Sequence, residues 1–178
     1  MAGVTEKVYR GKNGFVSARF RGSLAEKVKA LGKGAEDALR PAAQAGAQVF
    51  YDEMKQRAPV DDGLRSGAVP EATLRNSIYQ FYLERKSTES RHVYVVGPNK
   101  SKAPHWHLVE FGHWQNYAVA RMPDGMVKTL LNRPLIEPVF VPAYPYIRPT
   151  LDAKAVQALE AMRERFTQAL RESNTGWQ

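Results

Sequence analysis

The chain has 178 residues and no cysteine, which fits one domain and excludes a disulfide framework, a thiolate nucleophile and a cysteine-based metal site. Hydrophobic residues make up 43% and charged residues 25%, so the chain can bury a core, and no apolar run approaches the roughly 20 residues of a membrane-spanning helix. The formal net charge of +8 favours an anionic partner such as nucleic acid or an acidic protein. The N-terminus lacks the apolar core of a secretory signal, so we expect a soluble protein that is not exported.

The first third of the chain predicts a short strand and then a long helix. Residues 1–14 are interpreted as an N-terminal extension, and residues 15–21 alternate loosely as a strand does. Ser23 and Glu26 form a capping box, after which apolar and small residues recur every three or four positions. That spacing predicts one face of a long helix, with a bend near Pro41 or a break before it.

A loop and a pair of strands follow this helix. The helix is expected to end near Ala58, because Pro59 disfavours a helical conformation in the residue that precedes it. Residues 59–73 have the composition of a turn and loop. Residues 74–84 and 92–96 are rich in strand formers, and the polar link 85–91 between them favours antiparallel pairing.

The last part of the chain predicts an arm and a helix. Residues 104–113 are a compact cluster of aromatic residues and histidines. Residues 114–142 contain several prolines and no clear periodicity, so we expect a long arm loop that becomes ordered against a partner. Apolar residues then recur at helical spacing within 143–172, starting at Pro149 or the next residue, and 173–178 form a tail.

Together these elements predict a single domain over residues 1–178. Its fold class is α+β, with a small antiparallel sheet packed against a long N-terminal helix and a C-terminal helix. The strand, long helix and antiparallel sheet occupy 15–113, and the long extended arm or loop is 114–142.

The histidine-rich cluster contains the candidate metal ligands of the sequence. Imidazole and carboxylate groups suit zinc, nickel or copper, but their spacing here matches no standard zinc signature. The weak candidates are His105, His107, Glu110 and His113. The chain also lacks a nucleophile elbow and a phosphate-binding glycine loop. We therefore predict no catalytic residue, no metal and no cofactor, and a metal-dependent enzyme is the weakest hypothesis.

The basic residues are concentrated near the N-terminus, where residues 1–40 hold nine basic residues against four acidic ones. The candidates for contact with DNA or a partner are Arg10, Lys12, Arg19 and Arg21. They alternate with apolar residues instead of forming the continuous block that is typical of a nucleic-acid tail. A basic nucleic-acid-binding module is thus an alternative to a structural protein.

Three motifs in order resemble a family of phage proteins. They are Ala58-Pro59-Val60-Asp61-Asp62-Gly63-Leu64-Arg65-Ser66, His107-Leu108-Val109-Glu110-Phe111-Gly112-His113 and Pro142-Ala143-Tyr144-Pro145-Tyr146-Ile147-Arg148-Pro149. The family comprises the minor tail component, or tail completion and head–tail joining, proteins of long-tailed phages and prophages. The residues that carry the resemblance are Pro59, Asp61, Gly63, Leu64, Arg65, Ser66, Glu110, Phe111, Gly112, Pro145, Tyr146, Arg148 and Pro149. Asp62 and His113 stand where the family usually has threonine.

The resemblance implies a structural virion protein and not an enzyme. It implies a ring, expected to be a hexamer, that connects the head-side connector to the tail tube at the neck. The partners implied are the portal-side connector, adaptor or stopper protein, the tail terminator or tail tube protein, and the tape-measure protein. DNA in the lumen is a further expected contact, a membrane is not, and assembly is expected in the host cytoplasm. A tail terminator or head-closure ring is the alternative within the same class.

Physical roles can also be assigned to some motif residues. Gly63 and Gly112 suit turns that need a positive φ. Glu110 is expected to cap backbone donors or to pair with an arginine, either Arg65 or Arg148.

Overall fold

The computed structural model describes residues 7–10, 16–19, 32–60, 73–122 and 127–175. In chain order, the helices and strands are β1 (Lys7–Arg10), β2 (Val16–Arg19), α1 (Lys33–Arg57), α2 (Thr73–Ser77), β3 (Ile78–Tyr82), β4 (Tyr94–Pro98), α3 (Trp106–Phe111), β5 (His113–Arg121), β6 (Val127–Val141) and α4 (Ile147–Thr175). Two antiparallel sheets accompany two long helices, so the predicted α+β class is confirmed.

The chain divides into two compact units. The first unit comprises Met1–Met54, Tyr79–Gly97 and Ile147–Gln178, and the second comprises Lys55–Ile78 and Pro98–Tyr146. The prediction of one domain with an N-terminal extension and a C-terminal tail stays a prediction.

The first unit contains a four-stranded sheet in the order β1-β2-β4-β3. β1 pairs antiparallel with β2, with Lys7 opposite Arg19 and Arg10 opposite Val16. β2 continues the sheet to β4, where Val16 lies opposite Val96. The short strand predicted over 15–21 is therefore present as β2, whereas β1 lies in the segment interpreted as an extension.

Helix α1 lies between this sheet and helix α4. On the sheet side, the Gln80 Nε2 donates a hydrogen bond of 2.8 Å to the Gln48 Oε1. On the other side, a Cβ at Gly46 would lie 2.6 Å from the Met162 Cγ, so glycine permits the close approach of α4. The interhelical ion pair of Lys154 with Glu53, 3.5 Å long, lies along the same contact. The small residues of the α1 pattern thus line the buried face of the helix, whereas an exposed stripe contains Lys33, Asp37, Arg40, Gln44, Gln48 and Asp52.

Local conformation differs from the sequence prediction at the ends of several elements. Helix α1 begins at Lys33, after Gly32 with a φ of 76°, and Pro41 lies inside it. Residues 74–77 belong to the short helix α2 and not to a strand. Helix α4 begins at Ile147, two residues before Pro149, because proline is tolerated in a first helical turn. The Ser23 capping box and most of the 59–73 loop lie outside the described residues.

The arm predicted over 114–142 has regular strands where an irregular loop was expected, because β5 and β6 pair as an antiparallel hairpin. Its ordering against a partner stays a prediction. The sequence of the hairpin shows no clear strand periodicity, because bulges shift the register between its two strands. Gln115 pairs with Val139 and Tyr117 pairs with Pro134, so an advance of two residues along β5 matches an advance of five residues along β6. A second shift of the same kind follows before Val119. Such bulges interrupt the alternation by which a strand is recognised.

Candidate assembly surface

Gly112 lies at the base of the β5–β6 hairpin, where any residue with a Cβ would strain the backbone. Gly112, between α3 and β5, has a φ of 71°, the positive value expected for this turn. A Cβ there would lie 2.8 Å from the Val141 carbonyl oxygen and 2.8 Å from the Ala143 nitrogen. Both are backbone atoms at the end of the hairpin, so the two strands are held close together where they start and finish.

Glu110 provides the second connection at this base. Its side chain is 1% exposed, and its Oε2 accepts a hydrogen bond of 2.8 Å from the Tyr146 backbone N–H. The Tyr144 backbone N–H donates a second hydrogen bond, of 2.7 Å, to the Val109 carbonyl. Burial, and then the nearby Glu110, raise the pKa of the Tyr146 hydroxyl above its ordinary range. The second and third sequence motifs therefore meet here, in what we call the hairpin clamp: Val109, Glu110, Gly112, Tyr144 and Tyr146.

Beyond the clamp, the hairpin exposes large apolar side chains. Ile136 and Leu131 are 101% and 74% exposed, and both lie in stretches of β6 where the register shifts. Trp114 and Phe140 face each other across the strands with ring centroids 5.2 Å apart, yet both remain at least half exposed. We call this the hairpin surface, and it consists of Trp114, Tyr117, Val119, Leu131, Ile136, Val139 and Phe140.

One family model matches residues 22–112, about half of the chain, and its description is "Bacteriophage HK97-gp10, putative tail-component". The chain belongs to this family of phage tail components. No curated protein and no solved structure gives a significant match to it. The family resemblance of the sequence is thereby confirmed, and with it the class of virion tail protein.

The match ends at Gly112, so it covers the first sequence motif of this tail component and the second as far as Gly112, and it stops before the hairpin. The third motif and all of the hairpin surface lie beyond the matched residues. The family match therefore gives no information about the hairpin.

The candidate metal ligands of the sequence lie in helix α3 or next to its ends. Among the described residues, no group of three or more His, Asp or Glu side chains is arranged to hold a metal ion. Burial, and then His107, lower the pKa of His105, while His113 has a buried Nδ1 without a hydrogen-bond partner in the described part of the chain. Glu110 instead accepts the Tyr146 N–H, which explains why a carboxylate occurs in this cluster.

Most other motif residues lie at turns and helix ends or outside the described residues. Pro59 is half-buried after α1, whereas Phe111 is exposed beside the clamp. Pro145 is exposed, and Arg148 and Pro149 are half-buried in the first turn of α4. The residues of the first motif outside the described ranges are Asp61, Asp62, Gly63, Leu64, Arg65 and Ser66.

The four cations proposed from the sequence do not form one group. Arg19 lies opposite Lys7 at one end of the β1–β2 pair, and Arg10 lies opposite Val16 at the other. Lys12 and Arg21 are outside the described residues. The backbone register therefore separates Arg10 from Arg19.

No helix among the described residues is long and apolar enough to cross a membrane.

Proposed function

We propose that this tail component is a ring-forming structural protein of the phage neck, which completes the tail and joins the head-side connector to the tail tube. The hairpin surface is the observation that carries this proposal. It would pack against the neighbouring copy in a closed ring, for which six copies are the expectation from the family resemblance. Family membership makes the protein a tail component, and the hairpin supplies the contact by which copies would associate.

An isolated two-stranded ribbon with exposed apolar residues needs a partner. Two-stranded hairpins are marginally stable in water unless another strand or a helix covers them. Phe140 and its strand neighbour Val139 are both at least half exposed, so apolar side chains are uncovered on both faces of the ribbon. Exposed apolar surface of this kind marks sites of association. Trp114 and Phe140 supply the rigid aromatic area that dominates binding energies at protein interfaces.

Side-chain packing fits this association better than strand addition along β6. Pro134 and Pro138 both lie in β6, and proline donates no hydrogen bond to a neighbouring strand. The two register shifts make the strand irregular as well. The fully exposed Ile136 is then an apolar knob that a pocket on a neighbouring copy would bury.

The hairpin clamp supports the same function by fixing the arm before it binds. The hydrogen bond from the Tyr146 N–H to Glu110 joins the two ends of the hairpin in the single chain, and Gly112 permits their close approach. A binding element that is fixed in advance loses less conformational entropy on association.

The proposal is tested by the mass of the assembly, measured by mass photometry on the full chain alone and after addition of purified tail tubes or head-side connectors. We expect the parent to form a closed ring alone or on one of these structures. The double variant Leu131→Asp/Ile136→Asp is expected to remain a monomer, because charged side chains replace two exposed apolar ones. Its free energy of unfolding should change by no more than about 0.5 kcal/mol, since neither side chain is buried in the single chain.

Val156→Asp is the matched control, because Val156 on α4 is 69% exposed and lies outside the hairpin surface. This variant should assemble as the parent does. A parent that stays monomeric with every virion part, or a hairpin variant that assembles normally, would contradict the proposal. Binding to tail tubes alone would indicate a tail terminator, and binding to connectors alone a head-closure ring.

A further inference from the structure

One end of the four-stranded sheet collects basic residues from separate parts of the chain. Because β2 and β4 are antiparallel, the end of β2 at Arg19 lies at the same end of the sheet as the start of β4 at Tyr94. Lys7 is opposite Arg19 in the register, so it occupies this end as well. The link from β3 to β4 leaves here too, since the Leu83 N–H bonds to the Val93 carbonyl at 2.8 Å.

Three cations on this link add to the set. Arg85 and Lys86 are exposed on the short 3-10 helix Glu84–Lys86. Arg91 donates a hydrogen bond of 2.8 Å from its Nε to the Lys86 carbonyl, which fixes its guanidinium beside that helix. The carboxylates of the link are those of Glu84 and Glu89, both exposed.

Arg40 contributes a fourth cation from helix α1. Its guanidinium carbon lies 4.4 Å from the centre of the Tyr82 ring, and a hydrogen bond to Tyr94 raises the pKa of Arg40. The Tyr82 hydroxyl in turn contacts the His92 Nδ1 at 2.8 Å. Arg40 is thus held in one orientation by aromatic neighbours while it remains exposed to solvent.

We propose that this basic sheet end, formed by Arg40, Arg85, Lys86 and Arg91, binds the phosphate backbone of double-stranded DNA. Lysine and arginine side chains that neutralise phosphates supply most of the affinity of sequence-independent DNA binding. Within 33–41 and 82–94, five basic residues stand against four acidic ones, which are Glu36, Asp37, Glu84 and Glu89. The strand register adds Lys7 and Arg19 at the same end of the sheet.

The surface fits DNA better than an acidic protein. Protein interfaces have an apolar or aromatic centre surrounded by polar groups. None of the exposed large apolar residues in the described part of the chain lies in 33–41 or 82–94, the segments that form the basic sheet end. Exposed hydroxyls of Thr88 and Ser90 are further donors for phosphate oxygens.

The test measures the affinity of the full chain for a labelled duplex by fluorescence anisotropy at two salt concentrations. If four phosphates are neutralised, the parent should lose about 50-fold in affinity between roughly 50 and 150 mM KCl. Arg85→Gln/Lys86→Gln should bind more weakly and lose only about 7-fold over the same interval, because two fewer counterions are released. Lys100→Gln/Lys102→Gln removes the same charge from an exposed turn elsewhere and should keep the slope of the parent.

A variant that binds DNA more tightly than the parent distinguishes an effect of charge from a loss of folded protein, because misfolding would weaken binding. Glu84→Gln/Glu89→Gln should raise the affinity for DNA at least about twofold, because two repulsive carboxylates are lost. The proposal would be overturned if the affinity of Arg85→Gln/Lys86→Gln depended on salt as steeply as that of Lys100→Gln/Lys102→Gln. A parent that fails to bind DNA at about 150 mM KCl but binds polyglutamate through Arg85 and Lys86 would also overturn it, since this would assign the surface to an acidic protein. DNA binding does not require a ring, so this test and the assembly test can fail separately.

Discussion

Glu110 shows how one buried carboxylate connects two distant parts of the sequence. Its Oε2 accepts the Tyr146 N–H from the segment that starts α4, across 36 positions of the chain. Glu110→Ala should lower the free energy of unfolding by about 1–3 kcal/mol, because it removes the acceptor of a buried backbone donor. Glu110→Gln retains an oxygen acceptor and should cost less. Urea denaturation of both variants measures the difference, and a loss below about 0.5 kcal/mol for the alanine variant would show that this bond is dispensable.

Alanine variants of Gly112 and Gly32 compare two free-energy costs of adding a Cβ. One is the cost of a positive φ, and the other is the cost of steric overlap with neighbouring atoms. Both glycines have a positive φ, 71° and 76°, but a Cβ at Gly32 has nothing within 4 Å, whereas one at Gly112 meets backbone atoms at 2.8 Å. Gly32→Ala should cost about 1–2 kcal/mol through backbone conformation alone. Gly112→Ala should cost about 2–4 kcal/mol, because backbone at the end of the hairpin must also move. Thermal denaturation of the two variants provides the comparison, and equal losses would show that the approach at Gly112 is easily relieved.

At the scale of elements, the sequence predicts what repeats regularly and misses what is interrupted. Helices α1 and α4 follow apolar spacing over many turns, so their existence and the end of α1 near Ala58 could be predicted. The hairpin could not be, because bulges and two prolines break the alternation of β6. The strand formers that follow directly also predict a strand over 74–77, yet these residues form the short helix α2.

The candidate site was predictable where a motif carried a conformational requirement. A glycine in the Val-Glu-Phe-Gly turn indicated a positive φ, and the carboxylate beside it indicated a cap. Arg85, Lys86 and Arg91 lie in the polar link that the sequence predicts between two strands. The position of Arg40 over Tyr82 was not predictable, because it depends on how α1 packs against β3. Exposure of the hairpin surface also depends on which strands pair and which remain uncovered.

For the whole molecule, the proposed functions predict opposite responses to salt. Each chain carries a net charge of +8, so copies repel one another at low ionic strength while apolar contacts of the hairpin draw them together. Raising KCl from about 50 to about 300 mM shortens the screening length and should increase the assembled fraction. The same change should weaken DNA binding, because phosphate contacts release counterions. Mass photometry and fluorescence anisotropy on one preparation measure the two responses, with Leu131→Asp/Ile136→Asp as a control that stays monomeric at both concentrations. Assembly that decreases with salt would indicate ion pairs between copies in place of the apolar hairpin contact.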